Sequence, residues 1–325
     1  MATIRKRGET WRVEVRRKGV TESRSFTKKM DAQAWALALE AEIDGGAYRA
    51  SRAGTKTVGD AFSRYGKEVS CKKRSHLAEL RRLAYLSNCD LAKVRLVDLA
   101  TPDVAAWRDM RLKEVATSTV NRDLNLISHV FTICVKEWHW LRTNPCSDLQ
   151  RPKDPPPRER RVSASELELI RHVFDYETDT VPRTQQQHVC LMFLIAIETA
   201  MRLSEIHSVG KGSFNAASNV VQLPLTKNGT RRRIGVSARA AELIDLFLRS
   251  SVRSTPHNLS KCFENGIKRS GIIDLTFHDS RHEAITRLAR KVGVLDLARI
   301  TGHKDIRELM TYYDATPDEI AARLD

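Results

Sequence analysis

The sequence predicts a mainly α chain with small β elements: a three-stranded sheet with one helix, then a helical segment, then a mixed α+β segment. Three observations predict it. Residues 11–16 alternate apolar and charged side chains, the mark of a half-buried strand. The stretch "STVNRDLNLISHVFTICVKEWHW" repeats apolar residues at helical spacing. A proline-rich basic stretch, "RPKDPPPRERRVS", then separates that helix from a second helical region interrupted by one hairpin.

Residues 1–55 read as an independent module. Trp11, Val13 and Val15 alternate with Arg12, Glu14 and Arg16; "KG" at 18–19 turns the chain; Phe26 ends the next strand, and a helix over roughly 28–43 stops at Gly45-Gly46. Residues 1–30 hold ten basic and three acidic side chains, so the small sheet has a net charge of +7. A two-stranded ribbon fits a major groove, and a basic solvated edge is the alternative. Residues 56–150 read as helices, with Val120, Leu124, Ile127, Phe131, Cys134 and Trp138 on one stripe and Thr117 or Ser118 placed to cap it.

Four prolines and five basic residues fall within 151–161, which forbids regular structure and marks 151–162 as a linker. Its charge suits a strap along a DNA backbone, with Arg158, Arg160 and Arg161 as candidate contacts beside Arg12 and Arg16 on the sheet. In residues 163–325, "NVVQLPLTKNGTRRRIGVS" predicts two short strands joined at an Asn-Gly turn that bears Lys227. In "LTFHDSRHEAITRLA", Ala284, Ile285, Leu288 and Val292 form one helical stripe, and Arg281 falls at its centre. A buried guanidinium demands an anion, either an internal carboxylate or a ligand such as phosphate. The zinc motif that "HEAIT" begins is incomplete, because Thr286 stands where the second histidine belongs.

Composition narrows the anion. With 55 Lys+Arg against 40 Asp+Glu, the formal charge is +15, which favours partners covered in phosphate. The 41% hydrophobic content supports real cores. Six cysteines without a C-x-x-C predict reduced thiols, and the lack of an apolar run of ~20 residues or of a leader predicts a protein of the cytoplasm.

Four stretches of the last segment belong together: "IETAMRLSEI", "LTKNGT", "FHDSRHEAI" and "TGHKDIRELMTYYDAT". They supply Arg202, Lys227, His278 with Arg281, His303 and a tyrosine. Attack on a phosphodiester requires such a set: a tyrosyl nucleophile, cations on the non-bridging oxygens, a base for the tyrosyl proton and an acid for the departing sugar oxygen.

The order R…K…H-x-x-R…G-H…Y, the basic linker and the helices before it resemble the tyrosine recombinases of the phage integrase superfamily, over roughly residues 57–325. The resemblance implies a helical core-binding domain at 56–150 and a catalytic domain at 163–325, with the module of 1–55 similar to an arm-site-binding domain. It implies that Arg202 and Arg281 clamp the scissile phosphate, with His303 a third donor, Lys227 the general acid, His278 the proton acceptor and no cofactor. The product would be a 3′-phosphotyrosyl link. Tyr312 is the expected nucleophile: it lies nine residues beyond His303, and it falls off the stripe of Ile306, Leu309, Met310 and Tyr313, which makes Tyr313 core. Glu205 is placed to orient the site or to be a surface carboxylate. Implied partners are double-stranded DNA and three further copies in a homotetramer on synapsed DNA. For an integrase, a host DNA-bending protein and an excision factor are implied too. "ETAMR" and "FHDSRHEAI" also resemble shufflon-type DNA invertases, the alternative activity; a DNA-binding protein with a dead site is disfavoured because no member of the set is missing. Three departures touch packing: Ala200 replaces the common glycine, Ser280 the usual leucine, and the expected strand "HSVGKGSFN" lacks a tryptophan.

Overall fold

The computed structural model describes residues 2–18, 20–45, 54–156, 158–223, 232–310 and 312. The chain divides into two compact units, Met1–Pro156 and Pro157–Asp325.

The first unit begins with an antiparallel sheet of β1 (Ala2–Arg7), β2 (Thr10–Arg17) and β3 (Val20–Phe26), followed by α1 (Lys29–Asp44). Val13 and Val15 of the central strand are buried against Ala32, Ala36, Leu39 and Ile43 of α1. Arg12 and Arg16 point the other way and are exposed, as strand alternation requires. Arg16 pairs with Glu14 at 2.7 Å.

Four helices follow: α2 (Val58–Glu68), α3 (His76–Leu86), α4 (Thr101–Leu112) and α5 (Thr117–Lys136). The stripe read in the sequence is their core, for Val120, Leu124, Ile127, Phe131, Cys134 and Trp138 are all buried. Neither Thr117 nor Ser118 caps α5, contrary to expectation; the helix starts after Ala116 with no side-chain cap. Asp123, buried on this helix, is reached by Arg82 at 3.0 Å and Arg111 at 3.4 Å.

In the second unit come α6 (Ala164–Val173), α7 (Gln185–Thr199), α8 (Leu203–His207), then β4 (Phe214–Asn215), β5 (Val220–Leu223) and β6 (Arg232–Gly235). It ends with α9 (Ala238–Arg249), α10 (Pro256–Ser270), α11 (Asp279–Ala289), α12 (Val294–Thr301) and α13 (Arg307–Met310). The apolar run "VCLMFLIAI" lies in α7, which is buried nearly all round because the other helices pack about it. Among the described residues no helix is long and apolar enough to cross a membrane.

One strand expectation needs correction here. "HSVGKGSFN" is mostly not strand: the chain turns through α8 and a short 3-10 turn, leaving only Phe214 and Asn215 extended. The reason is local, since the Glu205 carboxylate accepts the Arg202 backbone N–H at 2.9 Å and so starts a helix there. The linker arginines, candidate DNA contacts, each pair with carboxylates of their own unit. Arg158 donates to Asp279 and Asp274, Arg160 to Glu166, and Arg161 to Glu283 at 2.7 Å. Buried carboxylates need cations, and the linker supplies them. The earlier half of the linker is held as well, by Asn121 Nδ2 donating to the Pro152 carbonyl and to Asp154 at 2.9 and 2.8 Å.

Candidate active site

Two helix ends meet beside the second sheet. Helix α7 stops at Ala200, whose φ of +57° is left-handed, the conformation that favours glycine and turns the chain toward Arg202. Helix α12 stops at Gly302, φ +75°. Both ends expose carbonyls that no longer have an intrahelical donor. Arg281 answers both: it is 3% exposed and donates to the Ala200 carbonyl and, at 2.7 Å, to the Thr301 carbonyl. The anion expected for this guanidinium is thus replaced inside the protein by two peptide oxygens, at the negative ends of two helices. Peptide oxygens carry no full charge, so they leave the positive charge uncancelled. Burial, and then the nearby charge of Arg202, push the Arg281 pKa down to about 10, which still leaves it a cation at neutral pH.

Glu205 is the carboxylate of this cluster. Buried on α8, it accepts from Arg202 Nη1 at 3.1 Å and from Arg232 Nη2 at 2.9 Å. Arg232, the first residue of β6, also donates to the Thr301 carbonyl at 2.6 Å. Two guanidinia thus bond one carboxylate and a third, Arg281, feels its charge, an excess of cationic charge that suits a phosphodiester.

The histidines differ. His278 lies at the solvent edge of the site, where it shares an open cavity of about 390 Å³ with Arg202, Ser204, Ser260 and Thr276. The protein crowded round it lowers its pKa by desolvation first, then through the charges of Arg281 and Arg202. His303 Nδ1 lies 2.7 Å from Thr301 Oγ1, whose own proton is directed at the Leu297 carbonyl at 2.7 Å. Burial, and then Arg281, Arg202 and Arg232, hold the His303 pKa at about 4. A phosphate arriving among these guanidinia would offset their charge and raise that pKa, favouring the doubly protonated ring.

Tyr312 follows α13, half-buried, with its backbone N–H bonded to Leu309 at 3.0 Å. Its ring lies 4.8 Å, centroid to centroid, from His282, and it packs on the small apolar cluster of Ala284, Ile285 and Leu309. Burial raises its pKa and the Arg281 charge opposes this. So Arg202, His278, Arg281, His303 and Tyr312 share one electrostatic neighbourhood. Lys227 lies outside the described residues; the strands that flank it, β5 and β6, pair antiparallel with Leu223 opposite Arg232. The core reading of Tyr313 also falls outside them.

Sequence reasoning missed Arg232 and His282. Arg232 is one of three consecutive arginines, and only strand register selects it. His282 follows Arg281 directly, and only the fold brings it against Tyr312.

A mainly helical fold that gathers arginines, histidines and a tyrosine beside a basic linker defines a tyrosine recombinase. The phage integrase family model matches residues 160–319. The chain is 36% identical over 325 residues to a putative integrase/recombinase of Haemophilus influenzae, an alignment covering 96% of this chain and 87% of that protein. The chain belongs to the phage integrase family and is a site-specific recombinase of the tyrosine class. It is also 30% identical over 279 residues to a shufflon-specific DNA recombinase of Escherichia coli, covering 82% of this chain and 71% of that one. Among solved structures, the lambda integrase tetramer bound to a Holliday junction matches the fold with a TM-score of 0.65 at 15% identity, over 96% of this chain and 94% of that one. The Tn1549 transposon integrase in complex with transposon right end DNA matches with a TM-score of 0.65 at 18% identity, over 82% and 98%.

Proposed function

We propose that this recombinase is an integrase of a phage or mobile element, cutting double-stranded DNA through Tyr312 and rejoining it to a new partner strand. Arg202 and Arg281 hold the non-bridging oxygens of the scissile phosphate, and His303, once protonated, adds a third donor. His278 accepts the tyrosyl proton, and Lys227 protonates the 5′-oxygen that leaves. The tyrosyl oxygen forms one ester bond with phosphorus as the bond to the 5′-oxygen breaks, so bond energy is conserved and the reverse attack by a 5′-hydroxyl reseals DNA. The observation that carries this reading is the convergence of Arg202, Arg232 and Arg281 on Glu205 and the Thr301 carbonyl, with Arg281 close enough to perturb Tyr312. Cations arranged before the substrate arrives need no reorganisation in the transition state.

A homotetramer on synapsed DNA is supported by the lambda integrase likeness, and an apolar groove lined by Val292, Val294, Leu297, Ile306 and Met310 is a seat for the residue 316–325 tail of a neighbour. The module of residues 1–55 binds a distal arm-type site, and a host DNA-bending protein and an excision factor set direction. Inversion by a shufflon-type enzyme is the second reading, favoured by the 30% identity to the Escherichia coli recombinase.

A suicide substrate, nicked so that the cleaved strand end diffuses away, tests the chemistry. Wild-type protein should accumulate the covalent adduct, and Tyr312→Phe should bind the same DNA and form none. An adduct from Tyr312→Phe but not from Tyr313→Phe would reassign the nucleophile. Recombination between paired attachment sites on separate molecules separates integration from inversion, which needs inverted sites on one molecule.

A further inference from the structure

The cluster contains a guanidinium that the reaction scheme does not use. Arg232 sits at the start of β6, with its side chain only 11% exposed. One arm of its fork meets Glu205 at 2.9 Å and the other meets the Thr301 carbonyl at 2.6 Å. Glu205 in turn holds Arg202 by both its backbone N–H and its side chain, and the Thr301 carbonyl also accepts from Arg281. A single side chain thus touches the support of each clamp arginine. The seat is shaped for it: a Cβ at Gly302 would come within 2.1 Å of Arg232 Nη1, so glycine at that helix end leaves the room the guanidinium occupies. Lysine, with one ammonium, cannot reach both acceptors in this fork geometry.

We propose that Arg232 is a positioning residue for strand cleavage, locking Glu205, and through it Arg202, while sharing the Thr301 carbonyl with Arg281. The proposal rests on the reading of Arg202 and Arg281 as the phosphate clamp. Arg232 itself makes no contact with the reacting atoms. Its charge adds to the field at the phosphate, but its main effect is geometric, because an oriented donor fork is worth more in the transition state than a mobile one.

A double-mutant cycle tests this. Single-turnover cleavage at saturating DNA is measured for wild type, Arg232→Met, Glu205→Gln and the double variant, with DNA affinity measured in parallel. Each single change should slow cleavage by about tenfold or more while affinity stays within about twofold. If Arg232 acts through Glu205, the double variant should be no more than about twofold slower than the slower single variant. Rates that multiply in the double variant would overturn the proposal, as would unchanged cleavage in Arg232→Met or an equal loss of affinity. Arg232→Lys provides the same cycle where the methionine variant folds poorly, since it keeps the charge and loses one of the two bonds. Total strand cleavage is scored whatever its nucleophile, so a surviving adduct in Tyr312→Phe sinks the nucleophile assignment without deciding the cycle.

Discussion

Arg281 and Arg202 belong to the same proposed clamp, yet their surroundings are opposite. Arg281 is almost wholly buried and stitches the ends of two helices, whereas the Arg202 side chain is 42% exposed. Removing Arg281 leaves the Ala200 and Thr301 carbonyls without that donor and opens a cavity, so Arg281→Ala should lower folding stability by about 2–4 kcal/mol and abolish cleavage as well. Arg202→Ala should cost under about 1 kcal/mol of stability, yet ~3–4 kcal/mol of transition-state stabilisation. Thermal melting beside single-turnover cleavage reads both. Equal melting temperatures for the two variants would refute the difference drawn between them.

At the scale of elements, α11 bears Arg281 on one side and two buried carboxylates, Asp279 and Glu283, on another. Glu283 accepts from Arg161, Arg287 and the Val162 backbone N–H; burial raises its pKa, and those bonds outweigh the burial and bring it to about 2. A folded pKa below the unfolded one gives stability that is present above about pH 4.5 and is lost as pH falls toward 2. Its size is on the order of 2–3 kcal/mol. Glu283→Gln should therefore reduce hydrogen-exchange protection of the α11 amides at neutral pH, and the difference from wild type should shrink as pH approaches 2. A difference that does not depend on pH would mean that packing, rather than charge, is what the carboxylate provides.

The elements also separate what the sequence reveals from what it hides. Alternation at 11–16 and the 3.6-residue stripe through Val120 and Phe131 were legible because burial of one face is written in the residues themselves. So were Arg202, His278, Arg281, His303 and Tyr312 as a set, because their types and order carry chemistry. The acceptors of Arg281 were not legible. They are main-chain carbonyls, which every residue has, and only the way α7 and α12 end makes these two available. The linker arginines announced their charge but not its destination, since Asp279 and Glu283 lie more than a hundred residues away in sequence.

For the molecule as a whole, the linker has a consequence for binding strength. Asp154 is held on α5 and Arg158 on α11, and only three prolines lie between them. Fully extended, that span reaches at most about 14 Å between the two Cα atoms, at ~3.5 Å per residue. It works as a leash. If both units bind the duplex, a tether this short makes the second contact intramolecular, at an effective concentration of millimolar order or higher. The grip of the whole chain would then exceed that of either unit without any added contact. Inserting about ten Gly and Ser residues between Pro156 and Pro157 should weaken DNA binding by roughly 3- to 10-fold at fixed salt, because dilution within a longer tether grows only slowly with its length. The rate of cleavage once DNA is saturating should be nearly unchanged, since the staples on α11 stay in place. Loss of that rate instead would mean that the leash transmits tension to the helix bearing Arg281, and that gripping and cutting are mechanically one event.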